Sequence, residues 1–234
     1  MVNTEGKTEQ ARRCQCFMEK YRQRLWEKSG VPKNFRNCRL SNYDVYKTDK
    51  NKRTVDNDLS IPKEICANFA NKYPVIEQGL LLMGTIGVGK THLAVGIIAE
   101  LTLNKGVPCL FYDFRDLLKT IQSSYDPRSQ ISETSVLEPV VNAEVLVLDE
   151  LGARKVTDWM LDMLTHIINK RYNDKRITII TTNYVDNPLQ KEEESLTDRV
   201  GYRIRSRLCE MCVELQIKGK DYREGKKSKF NFNF

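Results

Sequence analysis

No stretch of the 234 residues stays apolar for the ~20 positions that a bilayer crossing needs, and the opening Met1-Val2-Asn3-Thr4-Glu5-Gly6 lacks a signal peptide's apolar centre. A cytoplasmic protein with no membrane partner is therefore expected. Histidine is nearly missing, with only His92 and His166 present. The seven cysteines are odd in number and scattered, which argues against a secreted disulfide framework and fits a reducing compartment. Cys14 and Cys16, with Cys38 beyond them, raise the question of zinc, but a structural zinc site asks for four Cys or His ligands and usually a Cys-x2-Cys pair. Three unpaired thiols and no zinc are expected. Internal repeats are also absent, and low complexity is confined to the closing residues, Lys226 to Phe234, which read as a basic flexible tail.

What is present is an ordinary globular composition, 40% hydrophobic and 29% charged, in a chain long enough for one sizeable core and a smaller appendage. The net charge of +7 is uneven: between Arg199 and Lys229, 10 basic residues face only four acidic ones. Such an excess invites a polyanion or an acidic partner surface, and it is equally the composition of a solvated basic face.

The pattern predicts a helix over 10–29 with Phe17, Tyr21 and Leu25 on one side, stopped by Gly30 and Pro32. Residues 33–60 carry no apolar period and read as a loop or linker, and Pro62 is expected to open a helix that runs to Lys72. From Gly79 onward β and α alternate. Strands are predicted at Leu80–Met83, Cys109–Tyr112, Glu144–Leu148 and Ile177–Thr182, with helices at Thr91–Asn104, Arg115–Ser123, a short one through Val140, and one capped by Thr157. Continuous apolar strands between amphipathic helices imply an α/β fold, a parallel sheet covered on both faces, whose ligands sit beyond the strands' carboxyl ends. The expected division is a helix and linker over 1–60 that can serve a partner, a core over 61–224 and the tail over 225–234.

At the first strand's end stands Gly84-Thr85-Ile86-Gly87-Val88-Gly89-Lys90-Thr91, in the strand, glycine-rich loop, helix context of a P-loop. Glycines let successive backbone N–H groups turn inward on phosphate oxygens, and the helix adds its positive dipole end. Gly84, Gly87, Val88, Gly89, Lys90, Thr91 and the following His92 are the candidate nucleotide contacts. Lys90 would meet the β- and γ-phosphates and Thr91 would hold Mg²⁺. ATP hydrolysis also needs metal support and a base, and Asp149-Glu150 supplies both at the third strand's end. Asn183, after the fourth strand, can hold the water or the γ-phosphate, or can be a turn residue. Phe114, Arg115, Lys119 and Tyr125 follow the second strand and offer aromatic and basic groups to single-stranded DNA; Phe114 and Tyr125 can as well be core aromatics.

The order of Gly84–Thr91, Asp149-Glu150, Thr181-Thr182-Asn183, an Arg-rich helix and Gly219-Lys220-Asp221-Tyr222-Arg223 resembles the AAA+ ATPases. The phrases Gly89-Lys90-Thr91-His92-Leu93-Ala94, Phe111 to Leu118, Leu148 to Gly152 and Arg205 to Cys212 are similar to the DnaC/DnaI helicase loaders and their transposition relative IstB, over residues 15–224 or so. The resemblance implies an AAA+ P-loop ATPase core, with Asn183 as first sensor, Arg207 as the arginine finger completing a neighbour's site and Arg223 as the second sensor. Arg203 competes for the finger role, and by sequence alone Arg207 can be a surface arginine. It further implies ATP and Mg²⁺ as cofactors, slow hydrolysis between subunits of a nucleotide-dependent homo-oligomer, and a replicative helicase and single-stranded DNA as partners. A transposase in place of the helicase, or a nucleotide-responsive adaptor with little turnover, are the other readings. The family's amino-terminal Cys-x-x-Cys module has no counterpart before Cys14, so the helicase contact is expected either on the helix around Phe17 to Trp26 or lost by shortening.

Overall fold

The computed structural model describes residues 14–49, 52–126, 128, 130, 132–153, 157–187 and 193–223. The expected tail and the first residues of the amino-terminal helix lie outside these. The helix α1 spans Gln15–Lys28 and ends at Gly30, whose φ of 77° is the left-handed stop that glycine allows. Its buried side differs from the expected stripe. Trp26 is 5% exposed, whereas Phe17 and Tyr21 are exposed. The thiols of Cys14 and Cys16 lie 2.7 Å apart at its exposed start, and Cys38 packs against the core.

Two corrections concern the stretch expected as a linker. After a 3-10 turn at Lys33–Phe35, strands β1 (Tyr46–Asp49) and β2 (Lys52–Val55) form an antiparallel hairpin. Its strands carry too few apolar residues to show an alternating pattern. Helix α2 runs Asn57–Lys72 from an Asp56 cap that accepts from Asp58 N, so Pro62 lies inside it rather than at its start. The carbonyl that the proline leaves unpaired is that of Asp58, an exposed residue in the first turn.

The remaining elements are β3 (Gly79–Met83), α3 (Lys90–Ala99) with a π-helical turn at Glu100–Asn104, β4 (Cys109–Asp113), α4 (Phe114–Ser123), α5 (Glu133–Asn142), β5 (Val145–Asp149), α6 (Asp158–Asn173), β6 (Ile177–Thr182), α7 (Leu196–Val200), α8 (Tyr202–Met211) and β7 (Cys212–Gln216). Five parallel strands lie in the order β4-β5-β6-β3-β7. β7 was not expected, because on this edge only Cys212 and Leu215 are buried, and Val213, Glu214 and Gln216 face solvent.

Alternate side chains of each central strand enter opposite layers. Leu80, Leu82, Val145, Val147 and Ile179 pack with α2 and α3, and Leu81, Leu146, Leu148 and Ile180 pack with α4, α5, α6 and α8. Each such fully buried side chain is worth roughly 1.5–3 kcal/mol. Trp26, Val31 and Tyr43 belong to the first layer, and Phe111 N donates to Ser29 O at 2.7 Å. The segment before residue 60 therefore contributes to the sheet's own core. No helix among the described residues is long and apolar enough to cross a membrane.

Candidate nucleotide site

Residues 84–89 turn from β3 into α3 at the carboxyl end of the sheet. A side chain at Gly89 would strike the Tyr43 ring at 2.6 Å, and one at Gly87 would meet the Asp221 carboxylate at 2.0 Å, so the loop is confined from two sides. Both positions also have positive φ, 94° at Gly89 and 80° at Gly87, which favours glycine. Lys90, the first residue of α3, donates through Nζ to Gly84 O at 2.8 Å and Thr85 O at 2.7 Å. Burial pulls its pKa down to about 8, against the opposing pull of Asp149 and Glu150. In this position the ammonium folds over the loop's own carbonyls, where a phosphate oxygen can exchange for them.

Asp149 ends β5 and is 5% exposed. Thr181 Oγ1 donates to its Oδ1 at 2.6 Å, and Thr91 Oγ1 donates at 3.0 Å. Burial raises its pKa to about 6, even though both hydroxyls stabilise the ionised form. A carboxylate buried with hydroxyl partners, beside a threonine at the start of α3, is a donor set that fits a hard divalent cation. Glu150 follows with φ 59°, an uncommon backbone for a non-glycine residue, fixed by its N–H on Thr181 Oγ1 at 3.0 Å. Its carboxylate accepts from Arg115 Nη2 at 2.5 Å, and the same guanidinium reaches Asp113 Oδ2 at 3.3 Å. Asn183 is half-buried just beyond β6 and makes no side-chain hydrogen bond to a described residue.

Past β7 the chain returns over the loop. Ile217 N donates to Met83 O at 2.7 Å and Tyr222 N to Gly87 O at 3.1 Å. Arg223 is near enough to act electrostatically on Lys90 and Glu150, and it is bound to Asp221 through N, Nε and Nη2. Gly84, Gly87, Lys90, Thr91, Asp149, Glu150, Asn183 and Arg223 thus converge at one end of the sheet.

Other expected residues go elsewhere. His92 turns from the loop to residues 39–43, with Nε2 at 3.0 Å from Arg39 O and its ring edge-on to Tyr43. The Val88 side chain is buried, and its carbonyl accepts from Tyr43 OH at 2.8 Å. Phe114, open in the sequence between a DNA-facing and a core aromatic, is 3% exposed and belongs to the core: the Asp113 side chain caps α4 on Arg115 N and Asp116 N, which turns Phe114 inward. Lys119 pairs with Asp116 at 2.9 Å, and the half-exposed Tyr125 packs edge-on to Trp159. Arg207 lies on α8 with its guanidinium 4.4 Å from the Tyr172 ring and 3.8 Å from Glu210. It borders an open cleft of about 400 Å³ between α6 and α8, with Tyr202 and Arg203 also on its wall.

The sequence reading passed over Tyr43, the Thr181 hydroxyl and Asp221. Thr181 was legible as one of two threonines ending a buried strand. Tyr43 lies in a polar stretch without periodicity, and nothing in the sequence joins it to Val88.

Residues 39–230 match the model of the IstB-like ATP binding protein family. Among curated relatives, the Replicative helicase loader DnaC of Escherichia coli K12 is 26% identical over 80% of this chain and 69% of its own length. An uncharacterized Bacillus subtilis protein, YqaM, is 23% identical over 84% and 62%, and the DnaC of Buchnera aphidicola from Baizongia pistaciae is 28% identical over 69% and 61%. The chain therefore spans about six-tenths of the length of the last two. Among solved structures, a DnaC helicase loader superposes with a TM-score of 0.66 at 32% identity, covering 80% of this chain and 100% of that one. The replication initiator DnaA of Aquifex aeolicus, bound to AMPPCP, gives 0.60 at 17% identity over 84% and 56%, a likeness of AAA+ fold.

Proposed function

The chain belongs to the IstB-like ATP binding protein family, and from this premise we propose an ATPase that loads a replicative hexameric helicase onto single-stranded DNA. The observation that carries the reading is the buried Thr91–Asp149–Thr181 cluster beside Lys90, at the mouth of a glycine loop. Lys90 and the first N–H groups of α3 bind the β- and γ-phosphates. Thr91 and Asp149 would hold Mg²⁺, which when bound would offset phosphate charge. Glu150 takes the proton of the attacking water, Asn183 orients that water, and Arg223 reads the γ-phosphate. Arg207 has its contacts on α6 and α8, away from these groups, and is proposed to serve a neighbouring subunit of a homo-oligomer.

Single-stranded DNA is assigned to Arg115, Lys119 and Tyr125, without Phe114. Because Arg115 is engaged with Glu150, a DNA phosphate that takes the guanidinium would release the catalytic carboxylate, linking DNA to turnover. The exposed Phe17 and Tyr21 on α1 are proposed as the contact for the protein partner. Turnover measured with and without single-stranded DNA, together with capture of a purified replicative helicase, tests the reading. Helicase capture with DNA-stimulated hydrolysis is expected. Capture of a transposase in its place would support a transposition helper instead.

A further inference from the structure

The Asp221–Arg223 pair lies on the phosphate loop itself. Beyond β7, residues 217–223 are fastened to the loop by Tyr222 N on Gly87 O, and Ile217 O lies so near Gly84 that a Cβ there would meet it at 2.2 Å. The Asp221 carboxylate rests against Gly87, where any side chain would collide with it. This places a fixed negative charge at the loop whose N–H groups are suited to bind phosphate. The same carboxylate accepts from Arg223 N at 2.9 Å, Nε at 3.0 Å and Nη2 at 3.1 Å, so it holds the guanidinium by two of its nitrogens. The Asp221 side chain is 23% exposed and that of Arg223 is 65% exposed, which leaves the arginine able to swing and the carboxylate anchored.

We propose that Asp221 is a positioning residue that holds Arg223 on the phosphate loop's flank, so that the terminal phosphate must win the guanidinium from it. This rests on the assignment of the loop as the ATP site. The consequence is selectivity by phosphate number. A triphosphate reaches Arg223 and offsets the loss of the Asp221 pair, whereas a diphosphate leaves the pair intact and gains nothing from it. Asp221 thereby lowers affinity for ATP and sets the threshold at which residues 217–223 rearrange.

The experiment is equilibrium binding of fluorescent ATP and ADP analogues, with Mg²⁺, to the full chain and to D221N, D221E, R223A and the D221N/R223A double variant, each checked for an unchanged melting temperature. Releasing one exposed to half-buried ion pair and one repelling charge is expected to tighten ATP binding in D221N by about three- to tenfold. ADP is relieved of the repelling charge alone and keeps the rest of its contacts, so its binding should tighten by less, under about twofold. D221E, which keeps the charge, should retain most of the parent's ATP affinity. In the R223A background D221N should bring no gain specific to ATP. Equal gains for both nucleotides in D221N, no gain at all, or an ATP-specific gain that survives R223A would each overturn the proposal. If the parent binds neither analogue, or K90A binds both as tightly as the parent, it is the ATP-site assignment that fails.

Discussion

Two regions of this molecule hold their cations in opposite ways. At the carboxyl end of the sheet, Lys90, Thr91, Asp149 and Thr181 are held by short hydrogen bonds inside one protomer, and Lys90 and Asp149 are buried. On the α6/α8 face, Arg207 rests on Tyr172 and near Glu210 in the open, and Arg203 has no side-chain partner among the described residues. The first region is held together by the chain's own hydrogen bonds. The second has cations and a cleft, and among the described residues it lies away from the glycine loop, which is why Arg207 is proposed to serve a neighbouring subunit.

That contrast is broken most directly through Arg207. R207A should bind ATP nearly as well as the parent and hydrolyse it about 10³-fold more slowly, since a guanidinium supplied in trans can be worth that much in phosphoryl transfer. K90A has an intact α8 and R207A an intact loop, so a mixture of the two should recover activity that neither has alone. Full activity in R207A, or a specific activity of the parent that does not rise with protein concentration, would assign the finger to Arg203 or the reaction to a monomer.

The first region answers to Lys90. Removing its ammonium should weaken a fluorescent ATP analogue by about 10- to 100-fold, the range for losing a charge-assisted hydrogen bond to phosphate. Its partners within the chain are two loop carbonyls, so K90A should fold normally. Circular dichroism with an unchanged melting temperature checks this.

Within the first region Arg115 is an exposed cation held on Glu150. Its removal should raise DNA-independent turnover a fewfold and abolish stimulation by single-stranded DNA. Stimulation that persists in R115A would move the DNA contact to Lys119 and Tyr125 alone.

How far the sequence reached differs between these regions for physical reasons. β3, β5 and β6 are buried on both faces, so they appear as unbroken apolar runs whose ends are easily placed. β7 is an edge, with polar residues on its outward positions, and the β1–β2 hairpin has little apolar surface at all. Pro62 misled because Asp56 already caps the helix, and Phe114, open between surface and core in the sequence, is decided by the Asp113 cap of α4. Within the site, the contiguous motifs were legible since spacing alone places their groups. The Arg115–Glu150 and Asp221–Gly87 contacts join segments that only the completed sheet brings together.

The smallest effect sharpens the comparison at Asp149. Burial raises the Asp149 pKa to about 6 from 3.8, so the folded chain disfavours the ionised carboxylate that metal support requires. The sign follows from linkage. Below about pH 4 the group is protonated in folded and unfolded chains alike and has no effect on stability. Between about pH 4 and 6 the unfolded chain ionises first, and the folded state loses ground as pH rises. Above about pH 6 the loss is complete and constant, on the order of 1–3 kcal/mol for a shift of this size. D149N keeps the shape and an oxygen acceptor for the Thr91 and Thr181 hydroxyls without the charge. Denaturant unfolding without nucleotide or Mg²⁺ should find it more stable than the parent at pH 7–8, with the advantage shrinking as pH falls and gone by about pH 4. The same variant should lose Mg²⁺-dependent ATP affinity at neutral pH. A D149N chain no more stable than the parent at pH 7 would mean that the two hydroxyls compensate the buried charge fully.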